Sequence, residues 1–332
     1  MRNITTLNRD PQVRGKRTGD LSQRDSEEEK KPAGGLWAEI KFALYLARKN
    51  PLVLLGSAIA IISILVSLFA GYIVSPSLWK FAHLGIRLCW NNGLINWHLV
   101  NIYACPGRAV YPLGTDSFGR DLLKMIILAL PLDLEISFSV VFSALAIGIV
   151  LGCIAAYSGG YIDEAILRVT DIFFAFPGLV LAIVILTVFG RTLENLTLAV
   201  LIVWWPLYVR LMRSQILAEK EKPYAEALRS IGAGRVRILF RHILPNCIYP
   251  VLVQFTLDIG GVILTFSALM FLGFSPNPML PELGNLVSDG IQYVSTAPWL
   301  IIFPGLTILI VALGFNLLGD GIRDILDPRL RR

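Results

Sequence analysis

Long apolar stretches alternate with short polar ones along this chain, and the alternation predicts membrane-spanning helices. Residues 52–74 contain no charged side chain. At about 1.5 Å per residue this stretch measures roughly 35 Å as a helix, enough to cross a hydrocarbon core of about 30 Å. Five further stretches of this kind follow, at 134–157, 170–190, 195–212, 247–273 and 298–318. The pattern therefore predicts an all-α membrane protein with six transmembrane helices.

The segments outside these spans differ in character. Residues 1–34 are polar, carry both charges and lack apolar periodicity, which predicts a disordered tail. In residues 35–50 apolar side chains recur at helical spacing among basic ones. That favours a helix lying along the membrane interface, with an extension of the first span as the alternative. Residues 75–133 are expected to form a long outer loop, and residues 134–332 the core domain.

Charge decides the predicted orientation. Only 16% of the 332 residues are charged and the mean hydropathy is +0.64, whereas soluble domains are about a quarter charged. Residues 210–246 contain eight Lys and Arg residues, and residues 274–297 contain none. Because Lys and Arg accumulate in cytoplasmic loops, residues 210–246 are predicted to be cytoplasmic. Six spans then place both termini on that side.

The polar stretch 213–246 predicts two short amphipathic helices. Pro223 suits a first helical residue, Gly232 stands where a left-handed helix cap is needed, and Pro245 is expected to end the second helix. The apolar positions are Tyr224, Ala227, Leu228 and Ile231, then Val236, Leu239, Phe240 and Ile243. From periodicity alone two interpretations are equal: both faces rest among lipid headgroups, or the first helix docks into a groove on another protein.

The stretch "EALRSIG", followed by "HILPN", resembles the EAA loop of ATP-binding-cassette importer permeases. The matching positions are Glu226, Ala227, Leu228 (in place of a second alanine), Gly232 with the adjoining Ala233, His242, Leu244 and Pro245. Four more stretches resemble the oligopeptide/dipeptide (nickel) branch of these permeases: "PLGTDSFGRDLL", "DIFFAFPGLVLA", "APWLIIFPGL" and "NLLGDGIRDILDPRL". The resemblance covers roughly residues 110–332.

This resemblance implies the type I importer (MetI-like) permease fold and the second-permease kind of subunit. Such a subunit pairs with a homologous permease, two cytoplasmic ATPases and an extracellular or lipid-anchored substrate-binding protein in the cell membrane; no nucleic acid is expected. The matched residues would couple ATP-driven closure of the ATPases to the membrane helices. Peptides are the implied substrate, and oligosaccharides are the alternative.

By the same resemblance the chain is a transport subunit, not an enzyme, and holds no cofactor, because ATP and Mg²⁺ belong to the ATPases. In agreement, no G-x-x-x-x-G-K-[ST] phosphate loop occurs. A membrane-embedded enzyme would need several polar groups at membrane depth, and the predicted spans offer Asp258 alone well inside. A secondary transporter, the remaining alternative, would work without ATPases.

Asp258 itself has two interpretations. Leaving a carboxylate unpaired inside a membrane costs free energy, so such a residue is a functional candidate. Asp258 either faces the translocation path or anchors a helix contact near Gly260 and Gly261. The resembled family often has an Asp there whatever the substrate, which favours the helix contact. Pro177 and Pro206 lie within predicted spans and permit kinks there.

The predicted outer loop contains the remaining polar candidates. One set is expected to cap and orient the helix that follows, with a contact to the binding protein as the alternative: Thr115, Asp116, Gly119, Arg120 and Asp121. Cys89 and Cys105 either form a disulfide or stay free thiols. Their spacing with His83 and His98 matches no metal template, so no metal site is expected. Cys153 and Cys247, at or near spans, are expected to be inert.

Overall fold

The described part of the protein consists almost entirely of α-helices. The structure, a computed structural model, describes residues 50–74, 112–116 and 119–326, with side chains up to Asp324. The helices are α1 (Pro51–Ile73), α2 (Leu122–Ser158), α3 (Gly160–Phe174), α4 (Gly178–Phe189), α5 (Leu193–Lys220), α6 (Pro223–Ser230), α7 (Arg235–Ile238), α8 (Leu244–Leu269), α9 (Leu283–Gly290) and α10 (Trp299–Leu326). The predicted tail, residues 35–49 of the predicted interfacial helix, Cys89, Cys105, His83 and His98 lie outside the described residues.

Within the described residues, five helical stretches are long and apolar enough to cross a membrane. They are Pro51–Ile73, Leu122–Ser158, Leu193–Lys220, Arg235–Phe274 and Trp299–Asp324. The pair α3 and α4 gives a sixth if it counts as one span, but its halves meet at 86°. The span predicted over 170–190 is therefore divided at the position where the sequence allowed a kink, and its first half begins earlier, at Gly160. The break lies at Pro177, whose ψ of 126° is outside the helical range.

Helix α2 begins at Leu122, twelve residues earlier than the predicted start at 134. Asp121 caps it by accepting two backbone N–H groups of the first turn. The sequence pattern missed this part because Asp133 and Glu135 interrupt the apolar run and Pro131 suggests a break. In the structure Pro131 lies inside the helix. The predicted outer loop thus ends at residue 121.

Small residues let the long helices pack closely. A Cβ on Gly148 of α2 would lie 2.2 Å from Cβ of Tyr208 on α5, and one on Gly260 of α8 would lie 2.8 Å from the carbonyl oxygen of Ala312 on α10. Such contacts replace the hydrophobic effect as the source of association between helices inside a bilayer. The absence of a side chain at these glycines therefore permits the close packing of two main helix pairs, α2 with α5 and α8 with α10.

Ion pairs attach the bent pair to α5. The guanidinium of Arg213 donates to both carboxylate oxygens of Asp163, at 2.5 and 2.6 Å. One turn earlier on α5, Arg210 pairs with Asp171. A two-pronged Arg–carboxylate contact fixes orientation as well as distance. It therefore positions α3 against the end of α5 that leads into the polar stretch.

Candidate functional site

The polar stretch between α5 and α8 folds as the sequence predicts in its first half. Pro223 stands in the first turn of α6, where its missing N–H costs nothing. Gly232 has φ 78°, which confirms the predicted left-handed cap. Its N–H donates to the carbonyl of Arg229, and the N–H of Ala233 donates to the carbonyl of Leu228, both at 3.0 Å. This pair of bonds is a Schellman motif.

The second half of the stretch departs from the prediction at Pro245. The expected stop is wrong, because α7 runs on through a π-helical turn (Leu239–Ile243) into α8. In this wider turn the N–H of Leu244 donates to the carbonyl of Leu239, five residues back. Pro245 follows within the first turn of α8, where no N–H is needed. The second short helix is thus rigidly continuous with a membrane span.

Buried contacts hold α6 against the ends of the long helices. Ala225 is completely buried, and Leu228 and Ala233 pack on the core. The Tyr224 hydroxyl donates to Glu219 at the end of α5, at 2.6 Å, and accepts from Asn246 of α8 at 3.3 Å. Burial, and secondarily Glu219, raise the pKa of Tyr224. The hydroxyl therefore stays protonated and links α5, α6 and α8.

The opposite side of this stretch is exposed and mostly apolar. Ile231, Val236 and Phe240 are 78%, 68% and 59% exposed, and Glu226 and Ala227 are also exposed. We call these five residues the exposed face. The single apolar stripe predicted for α6 is divided, because Tyr224 and Leu228 turn inward while Ala227 and Ile231 turn outward. Exposed apolar patches on proteins commonly mark contacts with another protein or with a membrane.

The three remaining matched positions lie where α7 continues into α8. Leu244 packs on the core, whereas Pro245 is exposed. His242 is half-buried, and its carbonyl accepts from the side chain of Asn246 at 3.0 Å. Sequence reasoning missed Ala225 and Glu219, which anchor α6. No sequence signal marked Ala225 as the buried position of α6.

Asp258 lies in α8 and is 8% exposed. Gln254 donates to its Oδ1 at 2.9 Å, and Tyr208 and Trp204 of α5 face the same carboxyl group. A Cβ on Gly261, three residues further along α8, would lie 3.5 Å from the Trp204 ring. Asp258 thus sits in a polar contact between α5 and α8, a geometry that favours the helix-contact interpretation over the path.

The polar set before α2 lies at the other end of the helices. Asp121 caps α2, as expected. Asp116 accepts from the backbone N–H of Arg120 at 2.8 Å and pairs with its guanidinium at 2.5 Å. The same guanidinium donates to the carbonyl of Met279 at 3.3 Å. The set therefore orients the start of α2 and ties it to the connection between α8 and α9.

No metal site emerges among the described residues, which contain no group of three or more His, Cys, Asp or Glu side chains that could hold a metal ion. Cys153 and Cys247 are buried free thiols. The polar side chains of the described residues mostly make contacts within and between helices, and one helical segment is exposed. These features define a polytopic helical membrane protein with an exposed helical segment between two of its spans.

Comparison with known proteins gives the family. Residues 148–332 match the family described as "Binding-protein-dependent transport system inner membrane component". The dipeptide transport system permease protein DppC of Haemophilus influenzae is 38% identical over 287 residues, which are 86% of this chain and 93% of that protein. DppC of Alkalihalophilus pseudofirmus is 44% identical over 218 residues, 66% of this chain and 72% of the relative.

A third relative is the glutathione transport system permease protein GsiD of Pectobacterium atrosepticum, 41% identical over 219 residues, 66% of this chain and 73% of that protein. Among solved structures, a chain of the inward-facing MetNI methionine ABC transporter superposes with a TM-score of 0.50 at 19% identity, covering 62% of this chain and 98% of that one. The chain belongs to the binding-protein-dependent permease family and has its MetI-like fold. It is a membrane translocation subunit of an ATP-binding-cassette importer, not a catalytic subunit.

Proposed function

We propose that this subunit carries peptides through the membrane and is driven through its exposed face by cytoplasmic ATPases. The observation that carries this proposal is the exposed face itself, a mostly apolar patch on two short helices. Buried contacts with α5 and α8 hold the first of these helices in place, and the second continues into α8. Because α7 continues into α8 without a stop, a push on the exposed face moves a span directly. Relatives named for dipeptide, di/tripeptide and glutathione transport support peptides as the substrate class, with oligosaccharides as the second candidate.

The partners follow from the same proposal. A homologous permease forms the other half of the pathway, two ATPases bind ATP and Mg²⁺, and a substrate-binding protein delivers the peptide. The chain itself holds no cofactor. The eight-to-none contrast in Lys and Arg between residues 210–246 and 274–297 supports placing the exposed face and both termini in the cytoplasm.

The docking part is tested by changing the exposed face without touching the core. Ile231→Asn and Glu226→Lys are made in the full transporter, reconstituted in proteoliposomes with its partner subunits. Ile231 is 78% exposed, so folding should survive while desolvation at a docking surface is impaired. We expect a loss of uptake of about tenfold or more, and loss of the ATP hydrolysis that the loaded binding protein stimulates.

The matched control is Tyr161→Asn, because Tyr161 is 93% exposed at the same end of the helices but outside the exposed face. It should leave uptake and stimulated hydrolysis unchanged. Normal coupling in both Ile231→Asn and Glu226→Lys would contradict docking and favour a segment resting among lipid headgroups. Uptake that persists without the ATPases would indicate a secondary transporter.

The substrate class is tested separately with the cognate binding protein, identified from the neighbouring genes. Calorimetric titration with a dipeptide, glutathione and an oligosaccharide should give binding of one or both peptides only. Binding of the oligosaccharide alone would contradict the peptide proposal while leaving the docking proposal intact.

A further inference from the structure

Three basic residues lie close together where α2 and α5 end. The Lys220 ammonium at the end of α5 donates to the carbonyl of Ala156 on α2 at 2.7 Å, and lies 5.3 Å from the centre of the Tyr157 ring. The Arg229 guanidinium of α6 donates to the carbonyl of Lys220 at 2.8 Å. The Tyr157 hydroxyl donates to the carbonyl of Arg235, the first residue of α7. These contacts gather Lys220, Arg229 and Arg235 around the end of α2, and we call the three the basic cluster.

The described part of the chain does not neutralise these positive charges. No ion pair there includes Lys220, Arg229 or Arg235. Glu221 and Glu226, the exposed glutamates of the same segment, form none either. Both arginines also act electrostatically on the Lys220 ammonium. Like charges that are held together repel one another unless an anion lies among them.

Two nearby carboxylates are engaged with other cations. Asp163 of α3 acts electrostatically on the basic cluster, but Arg213 donates to both of its oxygens. Glu219 of α5 accepts from Lys222 and, at 2.6 Å, from Tyr224. An anion that balances the basic cluster therefore has to come from outside the described residues.

The position of the basic cluster along α2 indicates what surrounds it. Residues 136–158 carry no charged side chain and measure roughly 35 Å at about 1.5 Å per residue, enough to cross a hydrocarbon core of about 30 Å. Tyr157 therefore lies where the core meets the lipid headgroups, a depth at which tyrosine and lysine are common. Ile154 and Val150, one and two turns earlier, are 42% and 57% exposed. An exposed apolar strip thus leads along the span to the basic cluster.

We propose that the basic cluster binds the phosphate group of an anionic lipid headgroup in the adjoining leaflet. Arginine holds phosphate through several N–H donors at once, and lysine adds a point charge. Arg229 and Lys220 each use one N–H on a backbone carbonyl, and the side chain of Arg235 makes no hydrogen bond within the described residues. Donors therefore remain for the phosphate oxygens, and the acyl chains would lie along Val150 and Ile154.

Two other anions carry suitable charge, and the position of the basic cluster favours the lipid over both. A free phosphate ion would use the same donors but would leave the apolar strip without a role. An acidic surface of a partner protein could meet the exposed arginines. Lys220, however, is half-buried against α2, where a small headgroup reaches between helix ends more easily than a folded surface does.

The test measures lipid binding to the full transporter in detergent by native mass spectrometry. The probes are phosphatidylglycerol, which is anionic, and phosphatidylcholine, which has the same phosphate group but no net charge. The unmodified protein should bind phosphatidylglycerol on the order of tenfold more tightly, because the uncompensated positive charges favour a net negative headgroup.

Arg229→Gln and Arg235→Gln should each weaken phosphatidylglycerol binding about fivefold, because each removes one positive charge. Both side chains are exposed, and the contact of Arg235 with Tyr157 uses its backbone carbonyl, so folding should survive. Binding of phosphatidylcholine should change little. The matched control is Arg237→Gln, which removes an exposed arginine of α7 that does not act on Lys220. It should keep the affinity of the unmodified protein.

Three results would overturn the proposal. The first is unchanged affinity for phosphatidylglycerol in the double variant Arg229→Gln/Arg235→Gln; if the ATPases dissociate from that variant instead, the basic cluster faces an acidic protein surface. The second is displacement of the lipid by millimolar inorganic phosphate but not by NaCl of equal ionic strength, because the site would then take the free anion. The third is an equal loss of affinity in Arg237→Gln and Arg235→Gln, which would show an effect of overall charge alone.

Discussion

At the scale of single residues, the two glycines beside α6 have different tasks although two positions separate them. Gly232 has φ 78° and Gly234 has φ −63°, and a Cβ added to either residue would have no atom within 4 Å. Space is therefore not the difference between them. The backbone conformation of Gly232 disfavours any side chain, whereas that of Gly234 accepts even a β-branched one.

We predict that Gly232→Val distorts the Schellman turn and that Gly234→Val does not. A left-handed conformation costs a residue with a side chain about 1–2 kcal/mol, and more for valine. Hydrogen exchange of residues 223–231 should accelerate in Gly232→Val only. If the proposed docking holds, uptake and stimulated ATP hydrolysis should fall in the same variant. Equal exchange in the two variants would contradict this role for the turn.

At the scale of elements, contacts between helices depend on where a side chain is absent. Gly148 and Gly152 of α2 face Tyr208 and Met212 of α5, with a hypothetical Cβ on Gly152 only 2.8 Å from Cβ of Met212. By contrast, Gly71 of α1 has nothing within 4 Å. The same residue type is thus a packing requirement in α2 and a free position in α1.

Gly148→Ala is accordingly predicted to destabilise the protein by about 1–3 kcal/mol, the usual cost of overpacking. The added methyl would lie 2.2 Å from Cβ of Tyr208, so α2 and α5 must separate. The thermal unfolding midpoint in detergent should fall by several degrees. Gly71→Ala should leave the midpoint unchanged or raise it slightly, since alanine favours helix. Similar midpoints for both variants would show that α2 and α5 do not pack this closely.

At the scale of the whole molecule, the open question is whether α3 and α4 together cross the membrane. If they do, six spans place both termini on one side, as the Lys and Arg distribution predicts. If they return to the side from which they entered, five spans place the termini on opposite sides. The Lys and Arg distribution favours six spans, and the 86° bend then lies within one of them.

Single cysteines in a cysteine-free background should settle the orientation by labelling with a membrane-impermeant reagent. Ser230 and Pro278 are exposed at opposite ends, whereas Asn285 is buried and would react poorly. We expect Ser230→Cys to be labelled from the cytoplasm and Pro278→Cys from outside. Cysteines near the two termini should both react from the cytoplasm. The reverse pattern at Ser230 and Pro278 would overturn the predicted orientation.

Several features could be predicted from the sequence because their causes are local. Uninterrupted apolar runs give the spans, and Gly232 gives the left-handed cap. The same local logic failed where neighbours in space decide. Asp133 looked like a loop residue because it interrupts an apolar run, yet it lies buried in α2 and accepts from the N–H of Leu283, 150 positions away.

By itself, the sequence determined the helical membrane class and the place of the exposed segment, since hydropathy and charge act along the chain. Only the tertiary structure decided how that segment divides, with Tyr224 turned inward and Ile231 outward. It also decided that α7 runs through Pro245 into α8. Periodicity states which residues share a face of a helix. What that face meets depends on helices distant in sequence, and packing against them determines which side chains are buried.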